Sequence, residues 1–133
     1  MGKEIIRTSN APAPIGPYNQ AVKSGNLLFI SGQIALDPAT GNLLIASIAE
    51  ETHQVMKNIG NILAEAGAGF DKVVKTTIFL SDMELFSPVN EIYGTYFEPG
   101  KDGGEPLFPA RETVAVKGLP KNVHVEISMI AML

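Results

Sequence analysis

The stretch from Ser47 to Gly67 constrains this chain most. Ser47 is followed three residues later by Glu50, the spacing of a capping box. In that box the hydroxyl takes an orphan N–H and the carboxylate reaches back. Val55, Met56, Ile59, Ile62, Leu63 and Ala66 then recur at helical spacing as one apolar stripe, and Gly67 suits the C-terminal cap. A helix with a single stripe must lie on something flat and apolar, and the rest of the chain supplies it. Ile5–Thr8, Tyr18–Lys23, Leu27–Ala35, Lys72–Leu80, Arg111–Lys117 and Val123–Leu133 all read as strands. A second helix is expected from Ser87-Pro88, a cap followed by proline in the first turn. Its stripe is Val89, Ile92, Tyr93, Tyr96 and Phe97. The order is β-β-β-α-β-α-β-β, an α+β arrangement of two helices on one face of a six-stranded sheet.

The segments between these elements are equally legible. Residues 12–17 hold Pro12, Pro14 and Pro17, which no helix or inner strand tolerates, so a pinned, extended loop is expected. Ser24-Gly25-Asn26 makes a hairpin of the second and third strands. Pro99–Pro106 reads as an exposed, mobile loop. Leu119-Pro120-Lys121-Asn122 turns between the last two strands. Residues 1–133 read as one domain. Leu27-Leu28-Phe29-Ile30 and the segment from Val125 to Met132 are apolar on both faces. Two helices cover one face only. The other face then meets another subunit, or the sheet curls to bury it within the chain.

Composition narrows the function. The 133 residues are 45% apolar and 18% charged, so the chain can build a core. There is no cysteine, which excludes disulfides, thiolate zinc sites and thiol catalysis. The net charge of −4 and the lack of a Lys/Arg run argue against nucleic acid as a partner. No apolar stretch approaches the ~20 residues of a membrane span, and no secretory leader is recognisable. A cytoplasmic protein is expected, with organelles left open.

No phosphate loop, metal-ligand spacing or nucleophile elbow is present. His53 and His124 stand alone, and a lone histidine is usually a surface or satisfied residue. What remains is a sparse polar set inside apolar β segments. Arg111 opens a strand after Phe108-Pro109-Ala110, and Glu126 lies between Val125 and Ile127. If Leu119–Asn122 makes a hairpin, the two meet on one face. They are then either a cross-strand ion pair of small consequence or a guanidinium fork for a small carboxylate beside a carboxylate base. Tyr18, Ser31 and Asn90 are further candidates. Each has a plain structural alternative: a core ring, a small residue at a crowded strand, a polar helix end.

Taken in order, Gly16-Pro17-Tyr18-Asn19-Gln20-Ala21, Ile30-Ser31-Gly32-Gln33, Asn90-Glu91-Ile92-Tyr93, Pro109-Ala110-Arg111, Leu119-Pro120 and Val125-Glu126-Ile127 resemble the RidA/YjgF family of reactive-intermediate deaminases. Its members also carry the names L-PSP endoribonuclease and translation inhibitor. The resemblance runs from about Ile5 to the C-terminus. It implies a chorismate-mutase-like subunit with a mixed sheet, a homotrimer whose sheets form a central barrel, and active sites between subunits. It implies hydrolysis of 2-enamine and 2-imine acids to 2-keto acids and ammonia, with no cofactor and no metal. Arg111 would clamp the substrate carboxylate, Glu126 would activate water, and Tyr18 would wall the pocket. Ser31, Gly32, Asn90 and the main chain at Thr113 would line it. Two features depart from the family pattern. Thr113 stands where many members carry Cys, and the 99–107 connection is longer than in compact relatives. Ribonuclease or translation-inhibitor activity, or a non-catalytic small-carboxylate binding module or holdase, are the alternative expectations.

Overall fold

The computed structural model describes residues 2–99 and 103–133. Six strands and two helices follow the expected order: β1 (Glu4–Ile6), β2 (Ala21–Ser24), β3 (Leu27–Gln33), α1 (Ile48–Glu65), β4 (Val73–Leu80), α2 (Phe86–Gly94), β5 (Ala110–Ala115) and β6 (Val125–Met132). The Ser47 side chain caps α1 by accepting the Glu50 N–H at 3.1 Å. Val55, Met56, Ile59, Ile62 and Leu63 are fully buried against the sheet. Each contributes about 1.5–3 kcal/mol of burial. Gly67 adopts the left-handed φ of +77° that ends the helix.

The start of α2 differs from the sequence reading. Ser87 does not cap it. A 3-10 turn at Met83–Leu85 runs directly into Phe86, and the Asp82 carboxylate accepts the Glu84 N–H at 2.8 Å. Pro88 still occupies the first turn, but the start signal lies a turn earlier than Ser-Pro suggests. Val89, Tyr93 and Phe97 are buried; Tyr96 and Phe97 follow the last helical residue. The 99–107 connection falls partly on residues 100–102, which lie outside the described residues. Pro99 and Pro106 bridge across it.

The sheet runs β1-β2-β3-β6-β4-β5, with β4–β5 its parallel pair. The last two strands therefore do not form the hairpin on which a meeting of Arg111 and Glu126 was conditional. Arg111 pairs with Thr76 and Glu126 with Phe79, on opposite sides of β4. The chain leaves β5 and crosses the end of β4 to reach β6. Val116 N–H donates to the Leu80 carbonyl at 2.8 Å, and Ser81 N–H to the His124 carbonyl at 2.9 Å. Lys121 and Asn122 hold positive φ of 55° and 57° in the crossing, a 3-10 turn and not a tight hairpin loop. Sequence proximity suggested adjacent strands; the buried β4 slot between them was decided by packing.

Burial alternates along the central strands. Thr76, Ile78 and Leu80 of β4 and Val125, Ile127, Met129 and Ala131 of β6 face the helices and are buried. On the other face Phe29, Val114 and Met132 are 43–48% exposed. Within one chain the sheet therefore does not curl to bury its second face.

Candidate active site

Glu126 belongs to the face away from the helices. It lines a cavity of about 320 Å³ with Tyr18, Ser31, Gly32, Ile34, Pro120 and the proline loop residues Pro12 and Ala13. The loop is held in place by Gln20, which is buried. Its Nε2 donates to the carbonyls of Thr8, Ala11 and Pro12 at 3.0, 3.1 and 2.9 Å, and its Oε1 accepts the Thr8 N–H at 2.8 Å. Tyr18 lies outside β2, and its hydroxyl accepts the Ile15 N–H at 3.2 Å. The Ser31 hydroxyl donates to the Asn19 carbonyl at 2.6 Å.

Beside Glu126, the pairing of β3 with β6 slips between Ile30 and Gln33. Such bulges re-aim side chains next to functional sites. Here the bulge brings Gly32 against the carboxylate: a Cβ on Gly32 would lie 2.8 Å from Glu126 Cδ and 3.1 Å from its Cγ. Burial pushes the Glu126 carboxyl above its ordinary pKa. A carboxyl group with a raised pKa is a stronger base when ionised and so better suited to accept a proton.

Arg111 shares the helix-facing side with Thr76, its register partner. Its guanidinium carbon lies 5.1 Å from the Tyr93 ring centroid and 5.6 Å from that of Phe86. This stacking suits a planar cation. The Tyr93 hydroxyl is fixed by donating to Thr76 Oγ1 at 3.0 Å. Burial raises the Tyr93 pKa, outweighing the Thr76 bond and the Arg111 charge, which lower it. Arg111, Asn90, Tyr93, Phe108 and Pro109 line a second cavity of about 260 Å³. Thr113, two residues along β5, carries a buried Oγ1 with no hydrogen-bond partner.

Thus Tyr18, Ser31, Gly32 and Glu126 come together, and so do Asn90 and Arg111, but the two groups lie on opposite faces of one sheet. An Arg111–Glu126 pair within the chain is excluded. Among the described residues Lys75 pairs with Glu112 at 2.9 Å, and Glu51 Oε1 lies 2.8 Å from His124 Nδ1. Glu112 also accepts from the Thr77 hydroxyl. His124 therefore does not stand alone, and neither does His53, whose Nδ1 lies 2.7 Å from the Tyr96 hydroxyl. Gln20 and Glu51 escaped sequence reading. Each looked like an ordinary polar residue in a strand or helix, and only the loops and strand ends they meet in space give them a role. No group of three or more His, Cys, Asp or Glu among the described residues is placed to hold a metal.

A family profile described as Endoribonuclease L-PSP matches residues 8–133. The chain belongs to this family, the RidA/YjgF proteins. A RutC family protein of Pyrococcus horikoshii is 49% identical over 129 residues, covering 97% of each chain. A relative from mouse named 2-iminobutanoate/2-iminopropanoate deaminase is 46% identical over 130 residues, which span 98% of this chain and 91% of the mouse protein. Among solved structures, a Rid family protein of unknown function from Yersinia pestis superimposes with a TM-score of 0.91. It is 47% identical and covers 99% of this chain and 100% of its own. The α+β fold is thus that of RidA/YjgF proteins.

Proposed function

We propose that this RidA/YjgF protein is a hydrolase of short 2-imino acids, with Arg111 of one protomer and Glu126 of its neighbour completing each site in a homotrimer. The observation that carries the reading is the split itself. A half-buried carboxyl of raised pKa and an aromatic-stacked guanidinium sit in separate cavities on opposite faces. Either half alone lacks a partner for the chemistry. Joining unlike patches head to tail gives a ring where the rotation closes, and the homotrimer implied by the resemblance is such a ring. The name of the mouse relative supports the substrate class.

The reaction follows from the groups. Arg111 binds the substrate carboxylate through two parallel N–H bonds, which fix the adjacent C=N carbon in place. Ionised Glu126 takes a proton from water as its oxygen bonds to that carbon, giving a tetrahedral carbinolamine. Glu126 then returns the proton to nitrogen. Glu126 next carries the carbinolamine hydroxyl proton to nitrogen as the C–N bond breaks and C=O forms, so ammonia leaves and the 2-keto acid remains. General acid–base help of this kind is worth about 10²–10⁴-fold. Tyr18, Ser31 and Gly32 shape the cavity around the water, and Asn90 and the Thr113 main chain line the carboxylate side.

The test is semicarbazide trapping of 2-iminobutanoate made in situ by an amino-acid oxidase. Wild type suppresses the trapped product; Arg111→Ala and Glu126→Gln do not. Co-refolding the two inactive variants in equal amounts restores about a quarter of the sites by random assortment. No recovery on mixing overturns the shared site. Wild type that leaves trapping unchanged overturns the deaminase reading in favour of a binding module. RNA cleavage that vanishes in Glu126→Ala would favour a ribonuclease.

A further inference from the structure

Glu51, in the first turn of α1, is completely buried, and the chemistry above makes no use of it. Its carboxylate is fully engaged. Oε2 accepts the N–H groups of His124 at 2.7 Å and Val125 at 3.1 Å, and Oε1 lies 2.8 Å from His124 Nδ1. Those are the two residues directly before Glu126. On the other side of the same main chain, the His124 carbonyl accepts the Ser81 N–H at the end of β4. Burying a carboxylate is costly unless it is well bonded, and here three contacts converge on one strand start. On one side β3 pairs with β6 only as far as Ile127, past the slip between Ile30 and Gln33, so its ladder does not reach Val125 or Glu126. On the other side β4 pairs Leu80 with Val125 and Phe79 with Glu126, and the first turn of α1 adds a second hold on this strand start.

We propose that Glu51 is a positioning residue: by gripping two consecutive N–H groups it fixes the main chain from which Glu126 reaches the cavity floor at Gly32. The proposal rests on Glu126 being the acid–base group. It separates Glu51 from a strand cap of purely structural use, because a cap would change stability alone.

The test compares kcat and KM for 2-iminobutanoate in Glu51→Asp, Glu51→Gln and His124→Ala. Glu51→Asp keeps the charge but withdraws the acceptor by one methylene. Its kcat falls about 10-fold, while KM stays within about twofold because the Arg111 clamp is untouched. Glu51→Gln keeps an acceptor at the original reach and recovers kcat to within about threefold of wild type. His124→Ala retains both main-chain bonds and wild-type kcat. Glu51→Asn, equally short but uncharged, replaces Glu51→Asp where that variant does not fold, with the same thresholds. A shortened variant that is folded by circular dichroism and keeps kcat within about twofold overturns the proposal, as does a loss carried by KM. The ¹³C titration of the Glu126 carboxyl gives a readout independent of turnover. Its midpoint moves between wild type and the shortened variant, and an unmoved midpoint overturns the proposal. If wild type shows no hydrolysis, the deaminase reading fails, yet this titration still decides the role of Glu51.

Discussion

Gly32 and Glu126 show how tightly one residue can set another. Gly32 has an ordinary negative-φ backbone, so its need for glycine is contact and not conformation: a Cβ there would overlap the Glu126 carboxyl. The overlap is with the end of a flexible side chain, so the fold can absorb it by moving the carboxyl. Gly32→Ala is therefore expected to fold with a Tm close to wild type and to lose about 10²-fold in kcat; equal kcat in the imine assay would show that the carboxyl has room to spare. The raised pKa of Glu126 gives a second expectation. A carboxyl whose pKa rises on folding binds more protons in the native state, so it weakens the fold as pH climbs from 4.5 through the raised value. Glu126→Gln removes that cost. Its Tm should exceed that of wild type at pH 7, and the difference should close below pH 4.5; denaturation at the two pH values checks the sign. Nothing in Ile30-Ser31-Gly32 or Val125-Glu126-Ile127 alone announces this contact. The resemblance pointed to both residues, but the bulge that joins them depends on strand pairing, which single-sequence pattern does not determine.

At the scale of elements, the proline loop and β5 make opposite lessons. The loop was legible because proline acts locally, through its fixed φ and missing N–H. Its anchoring was not, since Gln20 gathers Thr8, Ala11 and Pro12 from 8 to 12 residues away. Gln20→Ala leaves those buried partners unmatched. A loss of about 1–3 kcal/mol is expected, together with faster proteolysis within residues 8–18 and a higher KM as the Tyr18 wall loosens. Chemical denaturation and limited proteolysis read the two effects, and an unchanged nicking pattern would mean that the prolines hold the loop unaided. For β5 the extent was nearly right and the neighbour wrong. Arg111–Lys117 and Val123–Leu133 would be neighbours if the Leu119–Asn122 turn closed a hairpin, whereas β4 separates β5 from β6. Strand existence follows from local pattern, but strand order follows from which apolar faces the helices cover. The registers on β4, Thr76 beside Arg111 and Phe79 beside Glu126, are what send the two to different faces.

For the whole molecule, the uncovered sheet face is the feature on which the proposed assembly rests. Ile5, Val22, Phe29 and Ile130 stand in register across β1, β2, β3 and β6, and Ile5 and Phe29 are 44% and 43% exposed. Lys75, Thr77 and Glu112 form a polar cluster beside them. An apolar row with a small self-satisfied polar centre suits a lasting contact with further copies of the chain better than it suits water. The proposed chemistry needs the same copies, because each carboxylate clamp faces away from its own Glu126. Phe29→Asp tests both requirements together. A carboxylate in the middle of the row would lose its water on assembly without gaining a partner, a penalty of several kcal/mol per chain. Light scattering should then give the 14.2 kDa of a single chain in place of a multiple of it, and imine hydrolysis should vanish although Arg111 and Glu126 are intact. Wild type should show the same link on dilution, with activity per chain falling where the mass falls. Phe29→Asp that is monomeric yet fully active would return the whole reaction to one chain and would sink the shared site. A variant that kept its mass would place the assembly contact elsewhere than on this face.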